Sequence, residues 1–244
     1  MSLERIYRYG SSEQLVDDMA THLVNRFIQL QAEKPHVQIA LSGGRLAESL
    51  YTNLASRITS RQVATSGLEL WWTCESWVES TDPSRQSSAA LTRLAPILPD
   101  SSRVHLMPFK TANADIGVSA GHYADDLGET IFDICLLGVG IDGHTAAIFP
   151  DDPSFTSPCE PGRTVTTSCQ PGTSDEKITL TLEAINRSKE IWIMASGSKK
   201  REAITKAIAH DPSIPAGCIQ ARQITRWFVD NEAAADLPRY RCLL

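Results

Sequence analysis

Histidine is the side chain best suited to moving a proton near neutral pH, and His144 sits in the densest run of chemistry-bearing residues in this chain. That run is Gly138-Val139-Gly140-Ile141-Asp142-Gly143-His144-Thr145, continuing to Phe149-Pro150. Asp142, two residues before His144, is near enough to orient or polarise an imidazole. The glycines, Gly140 and Gly143 among them, let the backbone turn tightly and come close to a ligand. A histidine on an apolar face is usually structural. One in a glycine-rich loop directly after a strongly apolar strand is placed for function.

Two other loops have the composition of ligand sites. In Leu41-Ser42-Gly43-Gly44-Arg45 the glycines free backbone N–H groups at a helix start to face an anion, and Ser42 adds a hydroxyl. The same string also reads as a plain structural turn. In Gly197-Ser198-Lys199-Lys200 a lysine at a strand-to-helix turn can aim its ammonium at a phosphate. The alternative there is a solvated charge run on a surface helix. The first loop lacks the ending of a Walker A loop and is not G-x-G-x-x-G. The six histidines form no H-x-H or H-x-x-x-H pair, which argues against zinc. No G-x-S-x-G elbow occurs. These patterns point to a hydrolase or isomerase that uses no metal and no cofactor.

Composition narrows the partners. The chain has 244 residues and a formal charge of -6, so it carries no domain-wide basic field for nucleic acid. An anionic small molecule is still compatible, because a few placed cations and helix N-termini suffice to hold one. No apolar run approaches the roughly 20 residues of a membrane span, and residues 1–10 show no secretory pattern. The six cysteines, Cys74, Cys135, Cys159, Cys169, Cys218 and Cys242, are scattered without C-x-x-C spacing. That is the usage of a reducing compartment. A cytoplasmic location is expected, with the oligomeric state, monomer or dimer, left open.

These loops must be held by regular elements. Ser11 or Ser12 opens a helical pattern through residue 33, and residues 37–41 form a short apolar strand before the first loop. A helix starts near Arg45. Residues 68–72, 104–107, 132–139, 178–182, 191–195 and 224–229 read as strands. Residues 89–94, 119–128 and 199–209 read as helices, 75–88 as a polar loop, and 151–171 as loop-rich. Alternating strands and helices predict one α/β domain over residues 1–244, three-layered and doubly wound, with a mainly parallel sheet. Ligands of such folds bind outside the carboxyl ends of the strands, which selects the loops after Leu41, Thr73, Val139 and Ala195.

Four segments carry a family resemblance: A-L-S-G-G-R at 40–45, D-I-C-L-L-G-V-G-I-D-G-H-T-A-A-I-F-P at 133–150, K-I-T-L-T-L-E-A-I-N-R-S-K-E-I-W at 177–192 and A-S-G-S-K-K-R-E-A-I at 195–204. With P-S-I-P-A at 212–216, they span nearly the whole chain. The chain resembles the 6-phosphogluconolactonases, and more loosely the wider glucosamine-6-phosphate deaminase-like fold. The resemblance implies hydrolysis of 6-phosphoglucono-δ-lactone, with His144 as general base on water and Asp142 orienting the site. Ser42, Gly43, Gly44 and Lys200 would hold the phosphate, and N–H groups of the loop from Gly140 to Gly143 would face the developing oxyanion. The deaminases share G-x-D-G-H but continue differently, whereas T-A-A-I-F-P after His144 is the lactonase pattern.

The chain also departs from the family. Where the family usually shows Asp-Glu-Arg after the second strand, this chain has Cys74-Glu75-Ser76. Only Glu75 of the three remains, and an arginine that helps hold phosphate is gone. A lost charge-assisted contact costs about 1.5–3 kcal/mol, or roughly 10- to 150-fold in affinity. Arg45, beside the phosphate loop, or Arg85, in the loop after Ser76, is expected to take over in part. Lys177 stands where the family often has arginine. Cys74 has no cationic partner legible in the sequence and is expected to be inert. Two other readings stay open: a diverged sugar-phosphate-binding paralogue without fast turnover, and a sugar-phosphate isomerase or deaminase.

Overall fold

Strands and helices alternate almost from end to end. The computed structural model describes residues 2–59, 63–99, 102–157 and 160–238. The first half runs β1 (Leu3–Tyr9), α1 (Ser12–Glu33), β2 (Val37–Leu41), α2 (Arg45–Thr59), β3 (Leu68–Trp72), β4 (Cys74–Ser76), α3 (Gln86–Leu94), β5 (Arg103–Val104), α4 (Ile116–Leu127) and β6 (Ile134–Gly138). The second half runs α5 (Pro153–Thr156), β7 (Val165–Cys169), β8 (Glu176–Leu180), α6 (Leu182–Asn186), β9 (Glu190–Ala195), a 3₁₀ turn at Ser198–Lys200, α7 (Arg201–Ile208) and β10 (Ile224–Asp230).

Seven strands form one sheet in the order β1-β10-β9-β6-β2-β3-β5, and every neighbouring pair is parallel. From β2 the chain adds β3 and β5 on one side, then returns to lay β6, β9 and β10 on the other. The order therefore reverses between β2 and β6, where doubly wound sheets open a crevice at their carboxyl ends. Ile134, Cys135, Leu136 and Leu137 of β6 are fully buried, as a strand covered on both faces must be. Helix α1 is capped by Ser11, whose side chain accepts from the Gln14 amide. It buries Leu15, Met19, Leu23, Phe27 and Leu30 at helical spacing.

Several expected boundaries change. Residues 3–9 form edge strand β1, which pairs only with β10 and is exposed along its first half, so no continuous apolar run announces it. The expected loop 75–88 contains β4 and the start of α3. Residues 151–171 contain β7. Strand β5 stops at Val104 rather than 107, and β8 stops at Leu180, so Leu182 belongs to a helix. Strands β4, β8 and β7 make a second, antiparallel sheet that pairs Cys74 with Thr179 and Ser76 with Lys177. Cys74, Cys135, Cys169 and Cys218 are free thiols, while Cys159 and Cys242 lie outside the described residues. Among the described residues no helix is long and apolar enough to cross a membrane.

The amino end of the sheet is tied by a buried carboxylate. Asp133 accepts from the Gln38 amide at 2.8 Å and from Lys189 Nζ at 3.0 Å, and it pairs with Lys34. Replacing it strands a buried donor, which typically costs about 1–3 kcal/mol. Asp133→Ala should therefore lower the stability read by urea unfolding by about that amount, with an unchanged m-value. A shift within about 0.3 kcal/mol would show that the two lysines and the Gln38 amide find other partners.

Candidate active site

The carboxyl ends of β2, β6 and β9 open onto a cleft of about 640 Å³. Its walls include Ser42, Gly43, Gly44 and Arg45 after β2, Gly138, Gly140 and His144 after β6, and Ser196 and Lys200 after β9. All four loops selected from the sequence thus meet in one place, the one after Thr73 through Cys74 and Gln86.

His144 is held on three sides. Its Nδ1 lies 2.6 Å from Asp142 Oδ1, and its amide donates to the same oxygen at 3.2 Å. The ring packs tilted on Phe149, centroid to centroid 4.9 Å. The Gly140 amide donates to the His144 carbonyl at 2.7 Å, closing the loop on itself. Gly140 is required here by close approach: a Cβ on it would fall 2.0 Å from His144 Nδ1 and 2.4 Å from Asp142 Oδ1. Burial pushes the imidazole pKa below its usual value. The Asp142 carboxylate opposes that shift, and the ammonium groups of Lys200 and Lys177 reinforce it. Because Nδ1 faces a carboxylate, the imidazole proton belongs on Nδ1, which leaves the Nε2 lone pair as the free acceptor.

The loop after β2 opens α2. The Ser42 amide donates to Tyr51 Oη at 3.1 Å, and the Tyr51 hydroxyl donates back to the Ser42 carbonyl at 2.6 Å. The Ser42 N–H is thus committed to Tyr51, while its Oγ is buried without a partner and the residue lines the cleft. Gly44 takes a positive φ of 96° at the entry to α2, whose first amides have no carbonyl of a preceding turn to bond. The Arg45 side chain is exposed at the cleft mouth. Lys200 is half-buried in the opposite wall, and burial lowers its pKa against the pull of Asp142. Its turn is pinned from β10, where the Asp230 carboxylate accepts from the Ser196 hydroxyl and the Gly197 amide.

Two expected ligand residues are not brought to the cleft. Glu75 is buried and its carboxylate is consumed. Oε1 accepts from the amides of Ser76 at 2.9 Å and Gln86 at 2.7 Å, and Oε2 from the Ser87 amide at 2.9 Å. It caps α3 from a neighbouring strand, because Arg85 at the cap position makes no side-chain cap of its own. Arg85 is buried as well, donating to the Met107 carbonyl at 2.8 Å with its guanidinium 3.6 Å from Glu75, so it cannot replace a phosphate-binding arginine. The amides of Gly140 and Gly143 are also spent, the latter on the Gly140 carbonyl, and are not free for an oxyanion. Cys74 reaches the cleft wall and packs with Ala147 and Phe149, and burial pushes its thiol up to about 11. Gln86 was not foreseen at the cleft, since a polar residue inside an apparent loop carries no periodic signal. Among the described residues no group of three His, Cys, Asp or Glu side chains is arranged to hold a metal ion.

The family model described as glucosamine-6-phosphate isomerases/6-phosphogluconolactonase matches residues 10–227. The 6-phosphogluconolactonase of Streptomyces coelicolor is 32% identical, over 95% of this chain and 94% of the relative. That of Synechocystis is 30% identical, over 91% and 94%. Among solved structures, 6-phosphogluconolactonase from Trypanosoma brucei superposes with a TM-score of 0.84 over 98% of this chain and all of that one, at 19% identity. A monomeric glucosamine-6-phosphate deaminase superposes at 0.74, over 95% and 99% of the two chains, with 24% identity. These last two likenesses carry the fold.

The Gly140 contact is open to test. Gly140→Ala should push His144 off Asp142 and abolish the downfield Nδ1 proton of a strong imidazole–carboxylate hydrogen bond in the proton NMR spectrum. If that signal persists in the variant, the loop tolerates a Cβ and Gly140 is not what sets the pair.

Proposed function

The chain belongs to the glucosamine-6-phosphate isomerase/6-phosphogluconolactonase family, and on that premise we propose that it hydrolyses 6-phosphoglucono-δ-lactone to 6-phosphogluconate in the oxidative pentose phosphate pathway. One observation carries the reading. His144, hydrogen-bonded to Asp142, lines the same cleft as the start of α2 and Lys200, so one small molecule can meet a base and an anion site together.

Asp142 keeps the imidazole proton on Nδ1, and Nε2 takes a proton from the water that attacks the lactone carbonyl. A base that is neutral below the usual histidine pKa is available throughout the physiological range. The substrate phosphate binds at the start of α2, with Ser42 Oγ and the amides of Gly43 and Gly44 as donors and Arg45 and Lys200 as cations. Of the two arginines considered, Arg45 fits the compensating role. The reaction calls on no metal and no cofactor. The chain works as one sugar-phosphate-binding domain in the cytoplasm, with a small-molecule lactone as partner and neither nucleic acid nor membrane involved.

Hydrolysis of freshly made lactone, coupled to 6-phosphogluconate dehydrogenase, tests the proposal against the spontaneous background. His144→Ala should lose about 10²–10⁴-fold in rate, the usual scale for a general base. An unchanged rate would take His144 out of the mechanism.

The pH profile carries a second test. Neutral His144 is the active form, so kcat/KM should fall on the acid side along a limb below the ordinary histidine pKa. Asp142→Asn removes the charge that favours the imidazolium and should move this limb to lower pH. Lys200→Ala removes a charge that disfavours it and should move the limb to higher pH. Shifts in the reverse directions would mean that another group controls the limb.

A further inference from the structure

Gln86 is fixed unusually firmly for a cleft residue. It is the first residue of α3, and its amide is gripped by the Glu75 carboxylate at 2.7 Å. Arg85, immediately before it, is buried against the Met107 carbonyl and Glu75. The backbone position of Gln86 is therefore set by a buried charge pair outside the cleft. Its side chain lines the cleft and lies flat over Gly43. A Cβ on Gly43 would fall 2.3 Å from Gln86 Cδ and 2.4 Å from Oε1, so the carboxamide uses space that only glycine leaves. The Cys74 thiol donates to Gln86 Oε1 at 3.5 Å. This leaves Nε2, with two N–H donors, as the end of the carboxamide without a partner among the described residues.

We propose that Gln86 is a specificity-determining residue: its Nε2 donates to a phosphate oxygen of the substrate beside the Gly43–Gly44 turn. The inference rests on the sugar-phosphate reading above and adds to it a contact supplied by α3. A carboxamide brings a donor without a charge, so it selects for a phosphate by hydrogen bonding while Arg45 and Lys200 supply the field. Position 76 cannot serve that end. The Ser76 hydroxyl accepts from Lys177 Nζ at 3.0 Å, across the β4–β8 pair and outside the cleft lining. Cys74 helps indirectly, since its thiol engages the oxygen of the carboxamide and turns the nitrogen outward.

The test compares Gln86→Glu, which keeps the shape but replaces the donor with a negative charge, and Gln86→Ala with wild type. The substrates are 6-phosphoglucono-δ-lactone and unphosphorylated glucono-δ-lactone. Gln86→Glu should raise KM for the phosphorylated lactone by about 10- to 100-fold, the scale of a hydrogen bond lost to a charged group, with kcat within about 3-fold. Gln86→Ala should raise it less. For the unphosphorylated lactone kcat/KM should stay at the wild-type value. Equal losses on both substrates, or an unchanged KM, would overturn the proposal and leave Gln86 as packing on Gly43. Calorimetric titration with 6-phosphogluconate separates this outcome from failure of the lactonase reading. If wild type turns over the lactone no faster than background yet binds 6-phosphogluconate, the Kd ratio of Gln86→Glu to wild type still decides for or against Gln86. If wild type neither turns over nor binds, both proposals fall.

Discussion

Neighbouring parallel strands whose connections run to opposite sides leave a gap between their carboxyl ends, and β2 and β6 are such a pair. Backbone leaving the sheet at that gap loses its ladder partners and must find others. The solutions on the two sides differ. After β2, Tyr51 reaches back from α2 and takes both the N–H and the C=O of Ser42, which spares the Ser42 hydroxyl and the following amides. After β6, the loop bonds internally through Gly140, Gly143 and His144, which spares the imidazole. Each side satisfies its backbone in a way that frees a different chemical group. The crevice therefore presents uncommitted backbone amides on one wall and an imidazole with a free nitrogen on the other.

The Cys74-Glu75-Ser76 segment looks, as sequence, like damage to an active site. In three dimensions its members separate into different jobs. Glu75 is structural: three amides converge on its carboxylate and Arg85 lies beside it, an arrangement that tolerates burial because the charge is both paired and hydrogen-bonded. Cys74 rests on Ala147 and Phe149, an apolar floor on which an unpaired carboxylate would be costly and a neutral thiol is not. Ser76 accepts from Lys177, where a second cation would be repelled. The two replaced positions are thus locally consistent with their neighbours, and the residue kept is the one that holds α3 in place.

How much was legible follows from which signals are local. Strands β2 and β3 match the sequence reading to the residue because each is a short, mostly apolar run, interrupted only by Gln38 and by Glu69. Strand β1 was missed because an edge strand has one neighbour and half-exposed side chains, and β4 because its polar residues Glu75 and Ser76, buried here, read as the start of a loop. The convergence of Ser42, His144 and Lys200 could be anticipated, since all three follow the carboxyl ends of sheet strands. The assignments of Glu75 and Arg85 could not be settled the same way. Whether a charged side chain faces a cleft or caps a helix depends on contacts such as Arg85 to Met107, which no spacing rule encodes. Gln86 was invisible for the same reason, its place being fixed by a carboxylate eleven residues earlier.

An acidic chain can hold an anion if its cations are distributed unevenly in their pairing rather than in their number. At the amino end of the sheet the positive charges are committed. Lys34 and Lys189 share Asp133, and Arg26 and Arg226 share Glu190. At the carboxyl end the Arg45 side chain has no ion-pair or hydrogen-bond partner among the described residues, and Lys200 feels Asp142 only at a distance. A cation whose desolvation is already partly met and whose charge is not yet balanced gains most from an incoming anion. Burial chiefly lowers the His144 pKa and the charge of Lys200 adds to that shift, so an anion that neutralised Lys200 would raise the basicity of the histidine.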